Sequence, residues 1–290
     1  MINLLTDSCA DLNQELISRF AIHTISLTVF INDKIYQDGV DLSLLELYRQ
    51  VETSGELPKT SAPSVAEFQA FFQSFPADLI YIGIGSKLSA TYQNAFLAAE
   101  TLPERKIHVI DSNNLSTGIG LLVLRAADLR DQGLTADEIE KEIQALLPRV
   151  HTSFMVDTLE YLYKGGRCTA VENIVGSLLK IRPVIEVKAD GSLGIKEKTR
   201  GTRKKALTYL LEDFRAHLPE IDLHRVFVTH SGCDEDGEFL ATELRKMAPI
   251  DDIYITTAGC TISSHCGPGT IGILYLGKRD LTAAAQELPG

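Results

Sequence analysis

Leu79-Ile80-Tyr81-Ile82-Gly83-Ile84-Gly85-Ser86-Lys87-Leu88-Ser89-Ala90-Thr91-Tyr92-Gln93 sets the class of this chain. Residues 79–84 form a short apolar run closed by a glycine turn, the pattern of a strand buried on both faces. The spacing then predicts a helix over 88–100. A buried strand that runs through a glycine turn into a helix is the unit from which parallel sheets are built.

The same alternation extends to both sides. Residues 2–6 read as a strand ending at Thr6-Asp7-Ser8, and a helix follows from Asp11, which is placed to cap it. Residues 22–32 and 34–37 read as strands about a turn at Asn32-Asp33. Helices are predicted over 43–52 and 64–74, the second opened by a capping box of Ser64 and Glu67. A strand at 107–111 and helices at 116–132 and 135–147 complete an open α/β domain over residues 1–150. From His151 the pattern changes. Strands at 152–156, 183–188, 194–198, 225–230, 252–256 and 271–276 include a pair joined at Asp190-Gly191, a turn that demands antiparallel pairing. With helices at 170–180, 202–217 and 235–246, residues 151–280 read as a two-layer α/β domain with a mixed sheet. Residues 281–290 read as a tail.

Composition narrows the function. Lysine and arginine total 28 against 39 acidic residues, a net charge of −11, so a nucleic acid meets net repulsion. Hydrophobic residues, 44% of the chain, supply a core that needs no staples. The first residues lack the basic start of a signal peptide, and no apolar run reaches the length of a membrane span. Five cysteines in a scattered, odd set fit a reducing compartment, and the expected location is cytoplasmic.

Four segments can carry chemistry. In Gly83 to Gln93 a strand end and a glycine turn lead into a hydroxyl-rich helix, where unpaired N–H groups favour an anion; the alternative is that Ser86 or Ser89 only caps the helix. Lys59-Thr60-Ser61-Ala62-Pro63-Ser64 holds two hydroxyls in an extended stretch before proline, or is simply the loop leading to the Ser64 cap. Cys260-Thr261-Ile262-Ser263-Ser264-His265-Cys266-Gly267-Pro268-Gly269-Thr270 places His265 on a constrained turn before the last strand; zinc spacings are absent and no metal site is expected. Asp157-Thr158-Leu159-Glu160-Tyr161-Leu162-Tyr163-Lys164-Gly165-Gly166-Arg167 ends in a glycine stop that presents Arg167, whose planar fork suits carboxylate or phosphate. Residues 272–278 imitate a phosphate-binding loop, but Arg279 stands where Ser or Thr is required and the segment reads as a strand. Gly118-Ile119-Gly120 lies in a helical pattern, and no Gly-x-Ser-x-Gly elbow occurs.

Thr6-Asp7-Ser8, Lys59 to Ser64, Leu88-Ser89-Ala90-Thr91-Tyr92, Asp111-Ser112, Asp157 to Leu162 with Lys164-Gly165-Gly166-Arg167, and His265-Cys266-Gly267-Pro268-Gly269 occur in the order seen in the DegV family, which the chain resembles over nearly its whole length. That resemblance implies an N-terminal α/β/α domain with a parallel sheet and a two-layer C-terminal domain. It implies a carrier, with no catalysis or cofactor of its own, that binds one long-chain fatty acid and presents its carboxylate to a separate fatty-acid kinase for phospholipid synthesis. The family pattern places the carboxylate at Thr60, Ser61, Ser89 and Ala90, supported by His265, with Arg167 facing the head group or the kinase. Ala90 departs from the usual glycine, and Cys266 occupies a variable slot. The competing expectation is a lipid-ester hydrolase or acyltransferase using Ser89 with His265 as base, although no orienting acid is evident.

Overall fold

A computed structural model describes residues 2–168 and 181–278, so the helix expected over 170–180 and the tail over 281–290 lie outside the described residues. The chain divides into two compact units, Met1–Leu147 with Gly259–Ile262, and Pro148–Ala258 with Ser263–Gly290. The short return of Gly259–Ile262 to the first unit is a long-range event that no contiguous pair of sequence ranges describes.

The first unit runs β1 (Ile2–Asp7), α1 (Gln14–Arg19), β2 (Ile22–Ile25), β3 (Thr28–Ile31), β4 (Lys34–Gln37), α2 (Leu44–Ser54), β5 (Lys59–Ser61), α3 (Val65–Gln73), β6 (Asp78–Gly83), α4 (Thr91–Glu100), β7 (Ile107–Asp111), α5 (Thr117–Asp131) and α6 (Ala136–Leu146). Four strands form a wholly parallel sheet in the order β2-β1-β6-β7. Side chains alternate across it. Leu5, Leu79 and Tyr81 project to one face and bury against Phe68 and Phe72 of α3 and Ala95 and Ala98 of α4, while Leu4, Ile80, Ile82 and Ile110, on the opposite face by alternation, are also buried and α5 and α6 contact β1, β6 and β7. The sheet is therefore sandwiched, as the family resemblance implies. A smaller antiparallel sheet, β4-β3-β5, turns its Val29 and Ile31 onto Leu42, Leu47 and Cys260. Its hairpin closes at Asn32-Asp33, where φ is 51° and 57°, the left-handed pair that a tight two-residue turn requires.

The second unit runs β8 (Val150–Met155), α7 (Glu160–Gly165), β9 (Ile181–Val187), β10 (Leu193–Arg200), α8 (Arg203–His217), β11 (Ile221–His230), α9 (Asp234–Met247), β12 (Asp252–Thr257), α10 (Cys260–Cys266, of which it takes the part from Ser263 on) and β13 (Ile271–Gly277). Its six strands lie in the order β10-β9-β8-β13-β11-β12, antiparallel except for the parallel pair β11 and β12. This is the mixed sheet expected, and the β9–β10 pair turns at Asp190-Gly191 with Gly191 at φ 81°. Met155, Val184, Val226, Val228, Ile273 and Tyr275 pack with Leu207, Leu210 and Phe214 of α8 and Leu240 and Leu244 of α9.

Four local expectations are corrected. Asp11 does not cap α1: it sits at φ 50°, its carboxylate accepts hydrogen bonds from Ser116 and Gly259, and Asn13 accepts from Leu16 N instead. Residues 22–32 are not one strand, because the chain leaves the parallel sheet after Ile25 and joins the small sheet at Thr28. Helix α4 begins at Thr91 rather than Leu88, since Leu88 N and Ser89 N both donate to Gly85 O and close a separate turn first. His265 lies in the last turn of helix α10; the positive-φ turn at Gly267 and Gly269 follows it. Among the described residues no helix is long and apolar enough to cross a membrane.

Candidate functional site

In a parallel sheet, ligands sit beyond the carboxyl ends of the strands, where successive connections leave in opposite directions. Here β1 is followed by β2 on one flank and paired with β6 on the other, which puts that point between the ends of β1 and β6. Asp7 ends β1 fully buried, and burial raises its carboxyl above the ordinary range against the opposing pull of its donors. It accepts from Tyr81 Oη at 2.6 Å, Ile84 N at 2.9 Å and Cys9 N at 3.0 Å. Asp111 ends β7 and accepts from Ser86 N at 3.1 Å and Asn113 N at 3.0 Å. Gly85 N donates to Asn114 O at 2.8 Å.

These bonds decide what the glycine turn can do. The N–H groups of Ile84, Gly85 and Ser86 are spent on the protein's own oxygens, so the turn is a scaffold and not an anion cradle. The anion-binding potential shifts to the start of α4. Its N-cap position, the exposed Ala90, provides no side-chain cap, and the half-buried Ser89 stands just before it. Ser89 Oγ is 2.7 Å from Thr91 Oγ1 and accepts from Thr91 N at 3.3 Å. An uncapped helix start beside two hydroxyls offers donors and positive polarisation to a carboxylate.

Thr60 and Ser61 part company. Thr60 stands opposite Val29, and so shares the face of the small sheet that carries its core, whereas Ser61 stands opposite Thr28 on the other face. Thr60 is half-buried; Ser61 is exposed and its Oγ donates to Ala62 O at 3.2 Å. The loop after β5 is tied to α4 by Asn94 Nδ2, which donates to Pro63 O at 2.8 Å.

In the second unit His265 and Arg167 are neighbours. A Cβ on Gly165 would lie 2.6 Å from His265 Nδ1, so glycine is what lets α7 pack onto the imidazole. Gly166 ends α7 in the left-handed region at φ 67°, and Arg167 Nη1 donates to Gly165 O at 2.7 Å. Burial, and then the Arg167 charge, push the His265 pKa down to about 4. The imidazole is neutral at pH 7 and a weak base there. The second half of α10 rests on the end of β11, with Ser263 Oγ 2.7 Å from Ser231 Oγ. The first half is held differently: Asp11 accepts from Gly259 N at 2.8 Å and Asp38 from Cys260 N at 2.7 Å, all within the first unit.

Among the described residues no group of three or more His, Cys, Asp or Glu side chains is arranged to hold a metal. Burial with nearby Asp38 and Asp11 pushes the Cys260 thiol up to about 12, and burial pushes Cys233 up to about 11, so neither is a nucleophile at neutral pH. A cavity of about 560 Å³ in the first unit has Asp7, Asp11 and Asp38 in its wall alongside Ile17, Val40 and Phe75. Its size suits a small ligand, but buried carboxylates make a poor wall for an alkyl chain.

Sequence reading missed Asp7, Tyr81, Asp111, Asp11 and Asp38 as site-building residues. The first and third carried a usable signal, an acid at the end of an apolar strand of a parallel sheet. Asp11 and Asp38 carried none, since their helix partners lie 248 and 222 residues away.

The DegV family model, described as that of an uncharacterised protein, matches residues 1–278. The chain belongs to the DegV family. A DegV domain-containing protein of Caldanaerobacter subterraneus subsp. tengcongensis is 32% identical over 277 residues, 94% of this chain and 98% of that one. Among solved structures, a DegV family protein of Thermus thermophilus, described for its fatty acid binding, matches with a TM-score of 0.89 at 32% identity, over 95% of this chain and 99% of that one. DegV of Bacillus subtilis, described as a fatty acid binding protein, matches with a TM-score of 0.86 at 29% identity, over 96% and 99%. The DegV motifs read from the sequence therefore belong to a chain with the DegV fold.

Proposed function

We propose that this chain binds one long-chain fatty acid, holds its carboxylate at the open start of α4, and presents it to a separate fatty-acid kinase. The observation that carries this reading is the uncapped α4 start with Ser89 beside it, in a fold shared with the fatty-acid-binding DegV proteins of Thermus thermophilus and Bacillus subtilis. Burying about fifteen methylenes at roughly 0.8 kcal/mol each offers on the order of 12 kcal/mol before association costs, so the tail supplies affinity. The head group supplies orientation, and a carboxylate without donors would cost several kcal/mol or take up a proton.

Ser89 and the N–H groups of the first turn of α4 beyond Thr91, whose own N–H goes to Ser89 Oγ, are the donors. Of the two hydroxyls on β5 we assign Thr60, since it is half-buried whereas Ser61 is exposed on the opposite face of the strand. The family pattern adds His265 as a neutral head-group residue and Arg167 at the head group or the kinase contact. The kinase, with its own ATP, converts the carboxylate to an acyl phosphate destined for phospholipid synthesis, and the protein works in the cytoplasm. A hydrolase using His265 as base is disfavoured by an imidazole whose pKa is about 4.

Native mass spectrometry of the purified protein, followed by lipid extraction, tests the reading. The expected result is one fatty acid per chain, reduced in Ser89→Ala and Thr60→Ala and retained in Ser61→Ala. A ligand-free protein that also refuses added oleate and palmitate overturns it.

A further inference from the structure

The loop carrying Ser89 is built from a residue that contacts no ligand in this reading. We propose that Asp7, acting through Tyr81 and the main chain of Ile84, is the positioning residue that sets Ser89 for carboxylate recognition. This rests on the fatty-acid reading above and adds to it the group that gives the head-group site its geometry.

The path is short and continuous. One oxygen of Asp7, Oδ2, receives both the Tyr81 hydroxyl and Ile84 N, while Oδ1 receives Cys9 N and fixes the plane of the carboxylate. Ile84 is followed by Gly85, whose carbonyl accepts from both Leu88 N and Ser89 N. A shift of Ile84 is thus passed through a single hydrogen-bonded turn to Ser89. The packing leaves no slack beneath that turn. A Cβ on Gly83 would lie 2.2 Å from Tyr81 Oη and 2.6 Å from Asp7 Oδ2, so the hydroxyl passes under the backbone where only glycine allows it. The Tyr81 ring is itself immobilised, edge-on to Phe68 with centroids 5.3 Å apart and to Phe72 at 6.1 Å. Asp111 secures the far side of the loop through Ser86 N and the Asn114 carbonyl holds Gly85 N, while the Asp7 bond to Ile84 N sets the end of the loop next to β6.

Positioning and mere stabilisation give different readouts. Oleic acid and oleyl alcohol share a tail and differ in the head group, so the ratio of their dissociation constants isolates recognition of the carboxylate. Full-length wild type, Asp7→Asn, Tyr81→Phe, Ser89→Ala and the core control Phe72→Leu are compared for both ligands, with thermal melts beside them. Wild type is expected to prefer the acid, and Asp7→Asn and Tyr81→Phe to lower that preference about tenfold with alcohol affinity nearly unchanged. Combined with Ser89→Ala, Tyr81→Phe should cause little further loss, since both act on one contact. Phe72→Leu should lower the melting temperature and leave the ratio alone. If Asp7→Asn does not fold, Tyr81→Phe, which removes one hydroxyl, decides the question. A wild-type preference that both folded variants retain, or an equal loss for acid and alcohol, overturns the positioning role and leaves the fatty-acid reading standing. A wild type that binds neither ligand overturns both.

Discussion

Helices α3 and α6 begin with caps of their own, whereas α4 and α10 do not. In α3, Ser64 and Glu67 exchange hydrogen bonds, and in α6, Thr135 and Glu138 do the same. Both glutamates are held below the ordinary carboxyl range by those bonds. Helix α4 has Ala90 at its N-cap position, which supplies no side-chain cap, and α10 takes its capping oxygens from Asp11 and Asp38, far off in the chain. The locally closed starts are structural. The other two bound the segments that our proposal makes the binding site: it sets the ligand's head group at the start of α4, and α10 leads to His265.

The largest expected effect falls on the remote cap. Asp38→Ala leaves the buried Cys260 N–H unpaired and should cost about 3 kcal/mol in urea unfolding. A loss below about 0.5 kcal/mol would mean that α10 needs no such cap. Next comes pH. The folded-state pKa of His265 is lowered from 6.5 to about 4, so as pH falls through that window the unfolded chain takes up a proton that the folded chain refuses. Stability attributable to His265 is complete above pH 6.5 and declines toward pH 4, by about 2 kcal/mol once solvent screening is allowed for. Melting curves of wild type and His265→Gln should diverge by that amount at pH 7 relative to pH 4.5; parallel curves would contradict the assignment.

Smaller effects separate closed from open starts directly. Ser64→Ala breaks a capping box and should lower stability by about 1 kcal/mol with no change in fatty-acid affinity. Ala90→Asp does the reverse. A carboxylate at the open start of α4 should raise stability by about 0.5 kcal/mol and weaken fatty-acid binding by repelling the ligand's own charge. If calorimetry finds binding unchanged in Ala90→Asp, the head group does not sit at α4.

What was legible follows the same division. The capping box at Ser64, the Asn32-Asp33 turn and the apolar strands at Leu79 and Ile107 were readable because each signal and its structural consequence lie within a few residues. The start of α4 was misplaced by one turn because Gly85 O, not a capping side chain, organises Leu88 and Ser89. The turn expected at His265 is the end of helix α10, which carries no local start signal because the oxygens that accept from Gly259 N and Cys260 N belong to Asp11 and Asp38. Among candidate site residues, Ser89, Thr60, Ser61, His265 and Arg167 stand out by type and motif, with Ala90 marked by the family pattern. That Thr60 and Ser61 face opposite ways follows only from the register of β5 on β3.

The sequence by itself determined the succession of strands and helices, the class of each unit's sheet and the family, since periodicity, turn chemistry and motif order are properties of neighbouring residues. The tertiary structure decided which backbone N–H groups remain available to a ligand. Asp7, Asp111 and the Asn114 carbonyl occupy those of the glycine turn, and the N-cap position of α4, Ala90, supplies no capping side chain. Availability depends on which distant carboxylate the fold delivers to each donor, and buried donors must be satisfied by whatever arrives.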